Sequence, residues 1–144
     1  YALADYTMFI GSGALWGETI LYSMCLLEEM QWKRTRYITS HDFFHGTLEL
    51  LEPGVPVFLF KGEDECRELD NRVEAFLRSG VTGDEDYVIF DTAEFAIPGL
   101  DPDFRVIVSP WILTVCITDR LSRHYEMVTK HNLKYRRYYH QFDY

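Results

Sequence analysis

Basic residues are scarce in this 144-residue chain: 14 Lys and Arg stand against 23 Asp and Glu, for a net charge of -9. Nucleic-acid binding needs clustered Lys and Arg against backbone phosphates, so that partner class is excluded. One basic cluster exists, KYRRYYH at 134–140, but it lies in a short tail. Cysteine is also sparse. Cys25, Cys66 and Cys116 are far apart, form no C-x-x-C, and are odd in number, which is no disulfide framework. Cys25 and Cys116 sit in apolar runs and read as buried small hydrophobes, a usage that fits a reducing cytoplasm. No apolar run approaches the roughly 20 residues of a membrane span. The G-x-S-x-G elbow of serine hydrolases is missing, and no cysteine has the electropositive setting that would activate a thiolate. An initial Met is missing too. The chain opens YALADYTMFIGSG and enters a strand-like run at once, so it is expected to begin inside a longer protein.

What is present describes a folded globule with a core of ordinary size: 47% apolar, 16% aromatic and 26% charged residues. YTMFIG (6–11) reads as a strand buried on both faces and stopped by Gly11-Ser12-Gly13. From Leu15 to Trp32, Ile20, Leu21, Met24, Cys25, Leu27 and Met30 recur at helical spacing. Tyr22 and Leu26 fill the other faces, which predicts a helix covered on more than one side. TRYITS (35–40) reads as a second strand. Ser40 is placed to cap a helix carrying HDFFHGTLELL. VPVFLF (55–60) is a third strand. DECRELDNRVEAFLRS (64–79) is an amphipathic helix with Leu69, Val73, Phe76 and Leu77 inward, ended by Gly80. DYVIF (86–90) and FRVIVS (104–109) complete the strands, and Pro110 opens the last helix. This alternation predicts an α/β fold: a five-stranded parallel sheet sandwiched between helices in three layers, of flavodoxin-like kind. Residues 1–129 form the domain and 130–144 a polar, aromatic, basic tail. Sites in such sheets lie at the carboxyl ends of strands, where the loop 11–18 and the stretch after Ser40 can meet.

Three constellations carry chemistry. His41 and His45 are four apart, but HDFFH departs from the zinc-protease H-E-x-x-H at its second position. Glu49 and Glu52 offer no convincing third ligand. The loop GSGALWGE follows a strand and precedes a helix, the context of a phosphate-binding turn. It reads G-x-G-x-x-x-G, however, which leaves a tight packed turn and direct substrate contact as even alternatives and makes a nucleotide a poor fit. Glu28 and Glu29 end an apolar helix. Two adjacent carboxylates cannot share a face, so one turns to solvent or to a basic partner such as Lys33 or Arg34, and the other lies nearer the apolar sides. There the negative end of the helix dipole and partial burial act against the charged form, as suits a proton-transferring base. An ordinary salt-bridged Glu is the plainer alternative.

Taken together, MCLLEEMQWKRTRYITSHDFFHGTLELL resembles the second sugar-isomerase (SIS) domain of phosphosugar isomerases and deglycases. Glu29 and His45 have the family's sixteen-residue separation, Gly46 follows, and the GSG loop matches the glycine turn before the glutamate helix. EEMQW, FFHGTLELLE, VPVFLFKGEDECR and the tail RRYY resemble the fructosamine-6-phosphate deglycases, over nearly the whole chain.

The resemblance implies the five-stranded SIS sheet and an enzyme that splits a 6-phosphofructosyl amino acid into glucose 6-phosphate and the free amino acid. Glu29 would be the base and His45 its acid–base partner, the two meeting across subunits of a homo-oligomer. Ser12, Gly13, Trp32, Arg136 and Arg137 would bind the phosphosugar-amine substrate. No cofactor and no metal are implied. The S-x-S-G-x-T phosphate turn of a first SIS domain is absent, so an N-terminal SIS domain is expected to be missing and the isolated chain inactive, with the apolar surface of helix 15–32 exposed. The Schiff-base lysine of the aminotransferring synthases is replaced by Arg136 and Arg137, which favours a deglycase. A phosphosugar aldose–ketose isomerase and a non-catalytic phosphosugar-sensing module are the alternatives.

Overall fold

The computed structural model describes residues 1–143. Four strands, β1 (Tyr6–Gly11), β2 (Arg34–Ile38), β3 (Val57–Lys61) and β4 (Tyr87–Asp91), form one parallel sheet in the order β2-β1-β3-β4. Parallel pairing demands a crossover after each strand, and here the crossovers are helical. Alternate side chains of a strand point to opposite faces, so the apolar runs feed two cores. Phe9, Phe58 and Phe60 face one side, where Tyr22, Leu27, Leu113, Ile117 and Tyr125 cover them. Met8, Ile10, Val57 and Leu59 face the other, against Phe43, Val73 and Leu77. The three-layer α/β architecture and the four strand positions before residue 92 agree with the sequence reading.

The fifth strand does not exist. Residues 104–109 lie instead at the start of helix α4 (Arg105–Ile112), which runs through wide turns (Leu113–Thr118) into α5 (Asp119–Thr129). A short apolar run cannot be told from a buried helix segment by periodicity alone. Two local features decide it. The Asp101 carboxylate accepts the Asp103 N–H at 3.0 Å with Pro102 at the first position of the opening turn. Arg105 pairs with Glu63 at 2.5 Å, fastening the helix start to the end of β3. Pro110 therefore sits inside the helix rather than at its first turn.

The segment after β2 also differs from expectation. Helix α2 (Ser40–Phe43) is four residues long, and its cap is Thr39, whose hydroxyl accepts the Asp42 N–H at 3.1 Å. HDFFHGTLELL is not one helix, because Gly46 takes φ 135°, a conformation open to glycine alone among common residues, and a separate turn (Thr47–Leu50) follows. Helix α3 (Arg67–Phe76) buries Val73 and Leu77 as expected, and Gly80, at φ 85°, lies in its final turns. Asp70 is buried as well, which the amphipathic pattern did not indicate.

The first helix, α1 (Trp16–Ile20), continues through Leu21–Glu29 in wide turns with i→i+5 character. Leu21 and Met24 stay exposed on it, but a larger apolar stripe lies on α4 and its continuation: Phe104, Ile107, Trp111 and Val115. Cys116, beside that stripe, is exposed and Cys25 only half-buried, so neither is the buried residue its apolar run predicts, because each lies on an outer helix face. Among the described residues no helix is long and apolar enough to cross a membrane.

Candidate active site

A helix following a parallel strand runs back along it, so the rod over 16–29 carries Glu29 roughly 20 Å from the glycine turn, to the amino-terminal edge of the sheet. The register confirms the placement. Glu28 accepts a hydrogen bond from the Thr35 hydroxyl at 2.5 Å, and Thr35 pairs with Thr7 near the start of β1. The helix ends there on Trp32, whose backbone is left-handed at φ 55°. Its N–H donates to the Glu28 carbonyl at 3.1 Å, and Lys33 N–H donates to the Leu27 carbonyl at 3.0 Å, which satisfies the helix's last acceptors. Glycine or asparagine usually fills that position. A tryptophan there costs about 1–2 kcal/mol of backbone strain, so its ring has work beyond closing the helix.

The tail supplies that work. Arg137 lays its guanidinium 4.0 Å above the Trp32 ring, and the His131 ring meets Trp32 edge-on at 4.3 Å. Arg136 Nε stands 2.8 Å from Glu29 Oε1. Gln31 ties the tail down further, donating to the His131 carbonyl at 2.7 Å and accepting from the Thr129 hydroxyl at 2.7 Å. The basic partner of the glutamate pair is thus Arg136; neither Lys33 nor Arg34 fills that place. The Lys33 amine donates to the Ala4 carbonyl at 2.9 Å instead. Between helix end and tail lies a cavity of about 550 Å³, walled by Glu28, Glu29, Trp32, Arg136, Arg137 and Tyr139 among others. The resemblance put Trp32, Arg136 and Arg137 at one site, but no spacing in the sequence gave the contacts that dock the tail, since the partners lie so far apart in the chain.

The other predicted residues lie elsewhere. His45 is exposed on the turn after α2, its ring 5.0 Å from that of His41. It follows the carboxyl end of β2, on the opposite face of the sheet from the glutamate helix, and is not among the residues lining the Glu29 cavity. One chain therefore does not bring Glu29 and His45 together. Among the described residues no group of three or more His, Cys, Asp or Glu side chains gathers around a point that could hold a metal ion.

Ser12 and Gly13 sit at the carboxyl edge. The expected meeting of the 11–18 loop with the stretch after Ser40 occurs: Ser40 N–H donates to Ser12 Oγ at 2.8 Å, with both residues buried. The Asp64 carboxylate sits against the turn. Ala14 N–H donates to Asp64 at 2.5 Å, and Cys66 N–H donates to the same carboxylate at 2.8 Å. Gly13 has φ 54°, and a Cβ there would fall 2.2 Å from Asp64 Oδ2, so glycine is required twice over. Beneath this turn, Asp70 accepts from Ser40 Oγ at 2.5 Å and from Gly62 N–H at 3.2 Å. Burial pushes Asp70 up to about 6, against the lowering effect of those two bonds. Nearby Asp91 would be raised by burial, but the paired Arg67 guanidinium, at 2.6 and 2.9 Å, holds it below the usual range. The carboxyl edge is a network of mutually satisfied charges, whereas the amino edge has an open cavity.

The likenesses to known proteins follow this geometry. No protein-family model matches the chain. It is 31% identical to the fructosamine deglycase FrlB of Bacillus subtilis (strain 168) over 143 residues, 96% of this chain and 40% of that protein. It is 32% identical to the fructoselysine 6-phosphate deglycase of Escherichia coli (strain K12) over 113 residues, 78% of this chain and 31% of that protein. A crystal structure from B. subtilis assigned as a phosphosugar isomerase superposes with a TM-score of 0.91 at 26% identity, over 99% of this chain and 42% of that one. Fold and likeness together define a sugar-isomerase (SIS) domain of the phosphosugar isomerase class. Within that class, its likeness is to a fructosamine deglycase and to fructoselysine 6-phosphate deglycases. It spans about two fifths of the length of the first of these relatives.

Proposed function

We propose that the full-length protein carrying this domain is a phosphosugar deglycase. Its substrate is a 6-phosphofructosyl amino acid in open-chain ketoamine form. Glu29 takes a proton from C1, giving an enaminol. Return of a proton at C2 leaves an imine between C1 and the amino nitrogen. Water adds to that imine, and the carbon–nitrogen bond breaks to release glucose 6-phosphate and the free amino acid. His45 of a second subunit serves as the acid–base partner that first opens the ring hemiketal, so the site is completed in a homo-oligomer. A positioned acid or base of this kind contributes typically about 10²–10⁴-fold.

The observation that carries the reading is the placement of Glu29. Its carboxylate is half-buried at a helix end and opens on a cavity large enough for a small ligand, with an aromatic wall and tail arginines for anionic groups. The relatives' names supply the substrate class. Phosphosugar sensing without turnover is the competing reading, favoured by the distance of His45 from this cavity within one chain. Incubating full-length protein with a panel of 6-phosphofructosyl amino acids and assaying glucose 6-phosphate separates the two. Release by wild type and none by Glu29→Gln is expected; tight binding with no product would sink the deglycase reading.

A further inference from the structure

A second, smaller cavity of about 350 Å³ adjoins the first, sharing Trp32, Lys33, Arg34 and Arg137 as walls and adding Asp5. Its lining sets three cations against one carboxylate, in a chain whose net charge is -9. The field of a net-negative chain opposes a free anion's approach, so only a local cluster of cations can draw one in. Elsewhere in the molecule clustered cations are spent on carboxylates: Lys61 on Glu74 and Asp91, Arg67 on Asp91, Arg105 on Glu63. Here they are not. Among the described residues neither Arg34 nor Arg137 makes an ion pair or a side-chain hydrogen bond, and Lys33 has given one N–H to the Ala4 carbonyl. Arg137 is nonetheless held in place, because its planar face rests on Trp32 at 4.0 Å while the edge of the guanidinium, with its forked donors, is left free. That explains the strained tryptophan: the left-handed turn at Trp32 presents the ring that fixes the arginine.

We propose that Lys33, Arg34 and the Trp32-stacked Arg137 form a preorganised oxyanion subsite that binds an anionic end of the ligand whose reacting carbon lies at Glu29. The shared chemistry is a carboxylate or phosphate taken by a guanidinium fork with an ammonium beside it. For the substrate class above, whose identity rests on the deglycase reading, two groups qualify: the carboxylate of the amino acid and the 6-phosphate of the sugar.

The test has a binding arm and a kinetic arm, both on full-length protein. Calorimetric titration with inorganic phosphate and with N-acetylglycine should give salt-sensitive binding of at least one. Arg137→Gln and Lys33→Gln should each weaken it about tenfold, as expected for loss of one charge-assisted contact, and Arg137→Lys should restore part of it. In the kinetic arm, KM is compared for a 6-phosphofructosyl amino acid and for 6-phosphofructosyl methylamine, which lacks the carboxylate. Collapse of the preference between them in Arg137→Gln identifies the carboxylate; a rise in both with the preference kept identifies the phosphate. Unchanged binding and unchanged KM in all three variants would overturn the subsite. Binding that is lost in the variants from a protein releasing no glucose 6-phosphate would keep the subsite and remove the deglycase reading.

Discussion

Arg136 Nε stands 2.8 Å from a carboxylate oxygen of Glu29, joining the tail after the last helix to the end of the first. The contact brings a cation to the side chain proposed as the base and makes the tail a wall of its cavity. Removing the carboxylate charge while keeping its shape is the direct test. Glu29→Gln is expected to lower kcat by about 10²–10⁴-fold with little change in melting temperature. A variant that keeps more than half the wild-type rate would remove Glu29 from the mechanism.

Arg136→Gln separates the two roles of the ion pair. Both side chains are partly exposed, so the pair contributes at most about 1 kcal/mol to stability, and denaturant unfolding should barely shift. Turnover is expected to fall about tenfold, because the tail no longer holds the Glu29 carboxylate in place. A large loss of stability with unaltered kcat would show that the contact is a structural tie only.

His45 lies away from the Glu29 cavity of its own chain, and an assembly with shared sites makes a sharp prediction. Glu29→Gln and His45→Asn proteins, each inactive alone, should regain activity when unfolded together and refolded as mixed oligomers. Random pairing in a dimer gives about a quarter of the wild-type rate, since half the dimers are mixed and one of their two sites is intact. No recovery in verified mixed dimers would remove His45 from the site.

Asp70 gives a pH signature. Burial holds its folded-state value at about 6, above the ordinary 3.8, with Asp64 raising and Lys61 lowering it more weakly. The folded chain therefore binds this proton more tightly than the unfolded chain. The stabilising contribution is complete below about pH 3.8 and is lost as pH rises through 6. Relative to Asp70→Asn, wild type should lose on the order of 2–3 kcal/mol between pH 4 and pH 8, read from urea unfolding of both proteins. A difference that stays flat across that range would contradict the burial of a titrating Asp70.

Tyr22 is fully buried among Phe9, Phe58 and Phe60, and its hydroxyl finds no hydrogen-bond partner among the described residues. Tyr22→Phe removes an unsatisfied polar group without opening a cavity. It should leave stability unchanged or raise it by about 1 kcal/mol, whereas Tyr22→Ala should cost about 3–5 kcal/mol through the cavity left behind.

The parallel sheet was legible in the sequence because its cause is local. YTMFIG, VPVFLF and DYVIF are apolar on both faces, and only strands covered by helices on both sides accept such runs. FRVIVS satisfied the same pattern and is helical, because the decision was made by the Asp101 cap and by Glu63, 42 positions from Arg105. Glu28 and Glu29 stood out as carboxylates at an apolar helix end, and the family resemblance, not the residue pattern, selected Glu29. No spacing could show that Arg136 would pair with it, that Trp32 would take a left-handed turn to seat Arg137, or that Asp64 would occupy the glycine turn. Residue type and period follow from short-range sterics and burial, which the sequence carries. The charge environment of each site depends on which distant groups the packed helices bring within 4 Å, and only the tertiary structure decides that.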